Sequence, residues 1–143
     1  MVVGKSKNPI PPLGFTLIEL LVVLAILALL AGLVGPTVLN QLGGAKTKTA
    51  KIQIKDLEMS LEMYKLDVGT YPSSSEGLQS LVQKPSDADG WNGPYLKSEV
   101  PKDPWKNDYY YVYPGTRAEI DIYSLGEDRA QGGDGENADV GNW

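Results

Sequence analysis

The sequence predicts an α+β protein: one long N-terminal helix, membrane-spanning in its first half and amphipathic in its second, packed on a small antiparallel β-sheet. Three observations predict it. Residues 20–39 form an uncharged apolar run, residues 50–68 carry apolar side chains at helical spacing, and residues 109–125 hold two β-prone runs around a Pro-Gly turn.

The first element is the apolar run LLVVLAILALLAGLVGPTVL, Leu20 to Leu39, 20 residues with a single hydroxyl. A helix of that length spans about 30 Å, the hydrocarbon thickness of a bilayer. Roughly 100 further residues could hardly cover such a helix on every side, which favours insertion in lipid over burial in a core. An ordinary secretory signal wants a small-x-small cleavage site, yet Leu29 and Leu30 precede Ala31-Gly32. The segment before the run, residues 1–14, is short and polar, with Lys5, Lys7 and three prolines. Its lysines favour the cytoplasmic side.

Pro36 lies inside the apolar helix and has no N–H for the carbonyl of Gly32. With Gly32 and Gly35 beside it, a kink or local unwinding is expected over 32–36, and Gly43-Gly44 is a second weak point. Beyond it, Ala50, Ile54, Leu57, Leu61, Tyr64 and Val68 are spaced 4, 3, 4, 3, 4, one stripe of an amphipathic helix. Gly69 suits the position after the helix end, and Pro72 stops it resuming. Residues 15–68 are therefore expected as one helix of about 80 Å. A short helix capped near Ser74 or Ser75 carries Leu78, Leu81 and Val82. Residues 85–108, dense in Pro, Gly, Asp, Asn and Trp, read as an ordered loop pinned by Trp91, Tyr95 and Trp105. Tyr109–Tyr113 and Glu119–Leu125 are the strands, joined by the turn Pro114–Arg117.

Composition excludes several chemistries. Among 143 residues there is no cysteine and no histidine, so disulfides, thiolate nucleophiles, Ser-His-Asp triads and zinc sites of the usual N/S kind are excluded. With 13 basic against 18 acidic side chains, net −5, nucleic acid is not an expected partner. The acids concentrate at the end: residues 119–143 hold Glu119, Asp121, Glu127, Asp128, Asp134, Glu136 and Asp139 against Arg129 alone. Five glycines loosen the same stretch. Crowded carboxylates on a flexible loop are either simply solvated or gathered by a hard cation such as Ca²⁺, which takes six to eight oxygens. The spacing is not an EF-hand, since the sixth position from Asp134 is Asp139 where a glycine is required.

Immediately before the apolar run stands Gly14-Phe15-Thr16-Leu17-Ile18-Glu19. A carboxylate at the edge of the bilayer core is expensive unless partnered, so Glu19 is a functional candidate on physical grounds alone. The GFTLIE junction resembles the processing site of type IV pilins and of the pseudopilins of type II secretion. The resemblance implies that residues 1–14 are a leader removed by a prepilin peptidase after Gly14, leaving Phe15 as the N-methylated mature N-terminus. It also implies that Glu19 pairs with the new α-amino group, in its own or a neighbouring subunit, and that loss of helix around Pro36 lets subunits pack in a fibre.

Further along, Tyr64-Lys65-Leu66-Asp67, Tyr71-Pro72, Glu76-Gly77-Leu78, Asp103-Pro104-Trp105, Ser124-Leu125-Gly126 and Gly141-Asn142-Trp143 resemble the major, G-type pseudopilin. That likeness implies a pilin-like fold, with residues 15–39 as transmembrane and filament-core helix and residues 40–143 as a periplasmic head. It implies one structural calcium in the acidic loop, with the backbone carbonyl of Leu125, Asp128 and Asp139 as ligands, and Asp134 or Glu136 as alternatives to Asp139. The implied partners are further copies of the chain in a pseudopilus, minor pseudopilins, the inner-membrane assembly platform, the prepilin peptidase and the lipid bilayer. The absent cysteines fit metal-fastened pseudopilins better than disulfide-fastened pilins.

The leading function is thus a non-enzymatic filament subunit that helps drive folded proteins across the outer membrane. A type IV pilin or a minor pseudopilin is the alternative within the fold. A membrane-tethered enzyme using Asp87/Asp89 or Glu119/Asp121 is a third class, against which stands the ordinary role of such acids as surface charge.

Overall fold

The computed structural model describes Gly4 and residues 12–143, so most of the leader, with Lys5 and Lys7, lies outside the described residues. The chain divides into two units, residues 1–39 and 40–143. Helix α1, Leu17–Val68, begins in the first and ends in the second.

In the first unit the helix is apolar on every side, and its large side chains are all exposed, from Leu17 and Ile18 to Val38 and Leu39. It contains a stretch long and apolar enough to cross a membrane. Of the kink or local unwinding expected at 32–36, the unwinding does not occur: α1 is helical through Pro36, and through Gly43-Gly44 as well. Pro36 removes only one intrahelical bond, and the helical turns on either side hold the backbone through it.

In the second unit the 4-3 spacing does what it predicts. Ala50, Ile54, Leu57, Leu61 and Tyr64 are buried on one face of α1 against Leu78, Leu81, Tyr109, Ile122 and Val140. Gly69 ends the helix with φ +94° and donates its N–H to the Lys65 carbonyl at 2.8 Å, the glycine-terminated end that a residue without Cβ adopts without strain. The short helix that follows is 3₁₀, Gly77–Leu81, and buries Leu78 and Leu81. Its approach is fixed one residue earlier than expected. Ser73 Oγ accepts the Glu76 N–H at 3.2 Å, and the Glu76 carboxylate accepts the Ser73 N–H at 2.8 Å.

The sheet has three strands rather than two: β1 (Tyr110–Val112), β2 (Asp121–Ser124) and β3 (Val140–Gly141), in that order and antiparallel throughout. Tyr110 pairs with Tyr123, and Tyr123 with Gly141. Asn142 prolongs the pairing through its side chain, its Oδ1 accepting the Ile122 N–H at 3.0 Å and its Nδ2 donating to the Ile120 carbonyl at 2.9 Å. The loop between the 3₁₀ helix and β1 is pinned by its aromatics. Trp91 Nε1 donates to the Ser80 carbonyl at 2.7 Å, Tyr95 Oη to Asp67 at 2.8 Å, and Trp105 Nε1 to Glu136 at 3.0 Å.

Candidate functional site

Two places in the chain carry the candidate functional residues. At the first, Gly14 and Phe15 are exposed in the non-helical chain just ahead of α1, with open space around Gly14. Thr16 and Glu19 form a reciprocal cap. The Glu19 carboxylate accepts the Thr16 N–H at 2.9 Å, and Thr16 Oγ1 accepts the Glu19 N–H at 3.2 Å. Both ends of a Thr-x-x-Glu pair thereby satisfy N–H groups that the first helical turn leaves free, and the carboxylate sits at the positive end of the helix dipole. This capping role was legible in the spacing of Thr16 and Glu19, beside the bilayer-edge reading. Pro36 lies within the same exposed apolar helix.

The second place is the acidic loop between β2 and β3. Its base is rigid. Ser124, fully buried, donates to the buried Asp103 carboxylate at 2.5 Å and accepts the Gly126 N–H at 3.1 Å. The other Asp103 oxygen accepts the N–H groups of Trp105 and Asn107 at 3.0 and 2.7 Å. Gly126, at φ +72°, turns the chain so closely over residues 136–138 that a Cβ there would lie 2.5 Å from the Glu136 carbonyl oxygen. The Glu127 N–H then donates to that same carbonyl at 2.9 Å, which ties the two arms of the loop together.

The predicted cation ligands are distributed unevenly over this frame. Leu125 and Asp139 line one cleft of about 450 Å³ together with Gln131, Gly132, Tyr123 and Trp143. Asp139 Oδ2 accepts the Gly132 N–H at 3.0 Å, while its Oδ1 is buried with no hydrogen-bond partner among the described residues. Asp128 is exposed, outside the cleft lining, and accepts the Ala130 N–H at 3.1 Å. Asp134 is exposed. Glu136 is committed elsewhere: its Oε2 accepts from Lys46 Nζ and from Trp105 Nε1, each at 3.0 Å. Those two hydrogen bonds, the lysine's first, hold its carboxyl below the usual range. Gly43 makes room for it, since a Cβ at that position would come 2.6 Å from Glu136 Cγ. No group of three or more Asp or Glu side chains converges on one point among the described residues.

Asp87 and Asp89 are exposed, and Glu119 and Asp121 each have partners of their own. Asp121 is buried and holds a turn: it accepts from the Thr116 N–H and hydroxyl, and from the N–H groups of Arg117 and Ala118, at 2.7–3.2 Å. Desolvation pushes its carboxyl up, but these hydrogen bonds outweigh it and hold the group below its ordinary value. Glu119 pairs with Lys65 at 2.7 Å.

An apolar helix behind a capped junction, continuing into a small three-stranded antiparallel head, is the architecture of a pilin-like protein. Residues 13–35 match the prokaryotic N-terminal methylation motif, which encompasses Gly14, Phe15 and Glu19, and residues 37–143 match the type II secretion system protein G family. The type II secretion system core protein G of Pseudomonas aeruginosa is 47% identical over 133 residues, covering 91% of this chain and 94% of that one. Its counterpart in Vibrio cholerae is 46% identical, covering 91% and 90%. The crystal structure of the major pseudopilin from the type 2 secretion system of enterohaemorrhagic Escherichia coli superposes with a TM-score of 0.62 at 34% identity, over 70% of this chain and 88% of that one. The chain belongs to the type II secretion system protein G family, the major pseudopilins. That family is structural rather than enzymatic.

Proposed function

We propose that this chain is the repeated subunit of a periplasmic pseudopilus, anchored in the inner membrane by α1 until it is drawn into the filament. The observation that carries the proposal is the first unit of α1: a helix apolar on all sides and exposed on all sides, standing directly behind the Gly14-Phe15 junction. Such a helix is stable only in lipid or packed among other copies of itself. Cleavage after Gly14 leaves it attached to the head, unlike ordinary signal removal. The leader faces the cytoplasm and the head the periplasm, the orientation that Lys5 and Lys7 favour. Minor pseudopilins, the assembly platform and the prepilin peptidase are the further partners of this reading.

Glu19 then has two successive roles. In the uncleaved chain its carboxylate caps the first turn of α1. After cleavage the Phe15 α-amino group, one turn away, offers a cation whose pairing neutralises the carboxylate inside an apolar packing. Full-length Glu19→Val, overexpressed with the secretion machinery, is expected to insert and be cleaved yet to yield few filaments by electron microscopy. Filaments at the wild-type yield overturn this assignment.

The acidic loop is proposed to hold one Ca²⁺. The buried, partnerless Asp139 Oδ1 supports it, because a desolvated carboxylate oxygen without a donor calls for a cation or a water. Asp139 and the Leu125 carbonyl would hold the ion, and Asp128 would join from the exposed turn three residues beyond Leu125. Glu136, already paired with Lys46, is not needed as a ligand. The ion's contribution is structural: it fastens a glycine-rich loop that the chain has no cysteine to staple.

A further inference from the structure

Tyr111 is the middle residue of β1, an edge strand of the sheet. Its register partner is Ile122, whose N–H and C=O both go to Asn142 on the β3 side. Opposite residues of an antiparallel pair that do not bond each other turn their backbone groups outward, so the Tyr111 N–H and C=O face the free edge of β1. Neither has a hydrogen-bond partner among the described residues. Two residues on, Tyr113 is closed off. The Ser74 hydroxyl accepts its N–H at 2.8 Å and donates to its C=O at 3.0 Å. Ser74 thus stands where a neighbouring strand would, a guard of the kind that keeps sheet edges from pairing. The guard stops short of Tyr111, where the edge borders a cleft of about 610 Å³ between β1 and the 3₁₀ helix. Half-buried Val82 and Val100 give this cleft an apolar wall, and Glu76, Glu99 and Asp108 line it against Lys102 alone. Lys102 pairs with Asp108 at 2.5 Å, whereas Glu99 is exposed and has no ion-pair partner among the described residues.

We infer that the Tyr111 edge and its cleft are a docking site for an extended, basic segment of another polypeptide, which joins the sheet as a further strand beside β1. A donor and an acceptor pointing the same way from one residue are answered together by one residue of an added antiparallel strand, so the edge calls for a polypeptide backbone. The acids then choose among polypeptides. Side chains of an added strand alternate between its two faces, and a segment alternating apolar residues with lysine or arginine offers the first to Val82 and Val100 and the second to Glu76 and Glu99. Anionic lipid headgroups and acidic segments are repelled by the same lining. A second copy of this chain fits poorly: its other sheet edge, β3, directly follows the acidic loop and would bring carboxylates to carboxylates. The site is built by the head alone, so it does not depend on the filament reading.

The test uses the full-length protein in a nonionic detergent and three short peptides. One alternates lysine with valine, one alternates glutamate with valine, and the third is the lysine peptide with N-methyl groups on alternate backbone nitrogens, which keeps its charge but spoils strand pairing. Binding is read by the anisotropy of the labelled peptide, and its place by the hydrogen exchange of the Tyr111 amide. The lysine peptide is expected to bind saturably and to slow exchange at Tyr111 about tenfold or more, since a free edge amide becomes a bonded one. The other two peptides are expected to leave that amide unchanged. Glu99→Lys is expected to weaken binding of the lysine peptide roughly tenfold while head melting, followed by tryptophan fluorescence, stays where it was. Absence of binding overturns the inference. So does binding without slower exchange at Tyr111, or equal protection from the N-methylated peptide, because either reduces the contact to charge alone. Protection of Tyr111 that rises with protein concentration in the absence of peptide makes the edge a contact between copies and overturns it as well.

Discussion

Asp121 offers the most direct measure of how the head is held together. Its carboxylate accepts four donors, the N–H groups of Thr116, Arg117 and Ala118 and the Thr116 hydroxyl, and so closes the turn that joins β1 to β2. The site is crowded: a Cβ on Gly115 would come 2.8 Å from Asp121 Oδ1. Asp121→Asn keeps the shape but replaces one acceptor oxygen by a donor NH₂, so about half of the four contacts are lost. Hydrogen bonds to a charged group contribute about 1.5–3 kcal/mol each, and allowing for relaxation the loss is about 2–4 kcal/mol. For a head of this size that lowers the melting temperature by roughly 10–25 °C. The assay is thermal unfolding of the full-length protein in detergent, read by the fluorescence of Trp91, Trp105 and Trp143, all of which lie in the head. The pH dependence has a definite sign. Because the folded carboxyl lies below its ordinary value, its contribution is full above the unfolded carboxylate range and is lost as pH falls through the folded value. The gap between wild type and Asp121→Asn therefore narrows under acid. An Asn variant that melts within about 2 °C of wild type at neutral pH refutes the turn-holding role.

Other outcomes follow from the same geometry. Leu61→Ala empties a fully buried position in the α1 stripe and is expected to cost about 2–5 kcal/mol, measured by denaturant unfolding at unchanged slope. Gly43→Ala drives a methyl into Glu136 and separates it from Lys46 and Trp105, so faster hydrogen exchange in residues 126–139 is expected despite alanine's better helix propensity. EDTA is expected to lower the melting temperature of the wild-type head, and Asp139→Ala or Asp128→Ala to remove most of that shift. A melting curve indifferent to EDTA removes the calcium assignment. Raising the pH toward the Tyr71 hydroxyl, pushed up to about 12 by burial and by its hydrogen bond to Glu62, should leave that side chain neutral well beyond the point where free tyrosine ionises, a shift visible in the ultraviolet titration.

The amphipathic half of α1, its Gly69 end and the first two strands were legible because each rests on local periodicity or on one residue's backbone preference. Strand β3 was not. Val140–Gly141 is two residues long, and its pairing with Tyr123 and Ser124 is a long-range contact that no local pattern announces. The acids show the same division. Nothing in the sequence announces the partners of Asp103, Asp121 and Glu136. The structure gives them buried or anchoring tasks, the first with Ser124, the second over its own turn and the third against Lys46. The Thr16–Glu19 and Ser73–Glu76 caps did leave a sequence signal, a hydroxyl residue three places before a glutamate. Pro36 shows the converse: a residue that lacks the helical N–H can still lie inside a helix that continues on either side of it.

Mass spectrometry of the N-terminal peptide, taken from protein produced alongside its own peptidase, tests the central claim most directly. A major pseudopilin cut at the predicted junction yields a peptide beginning at Phe15, one methyl heavier than its sequence, with the apolar helix still attached to the head. A mature chain beginning near Gly32, or one retaining residues 1–14 in the presence of an active peptidase, contradicts it.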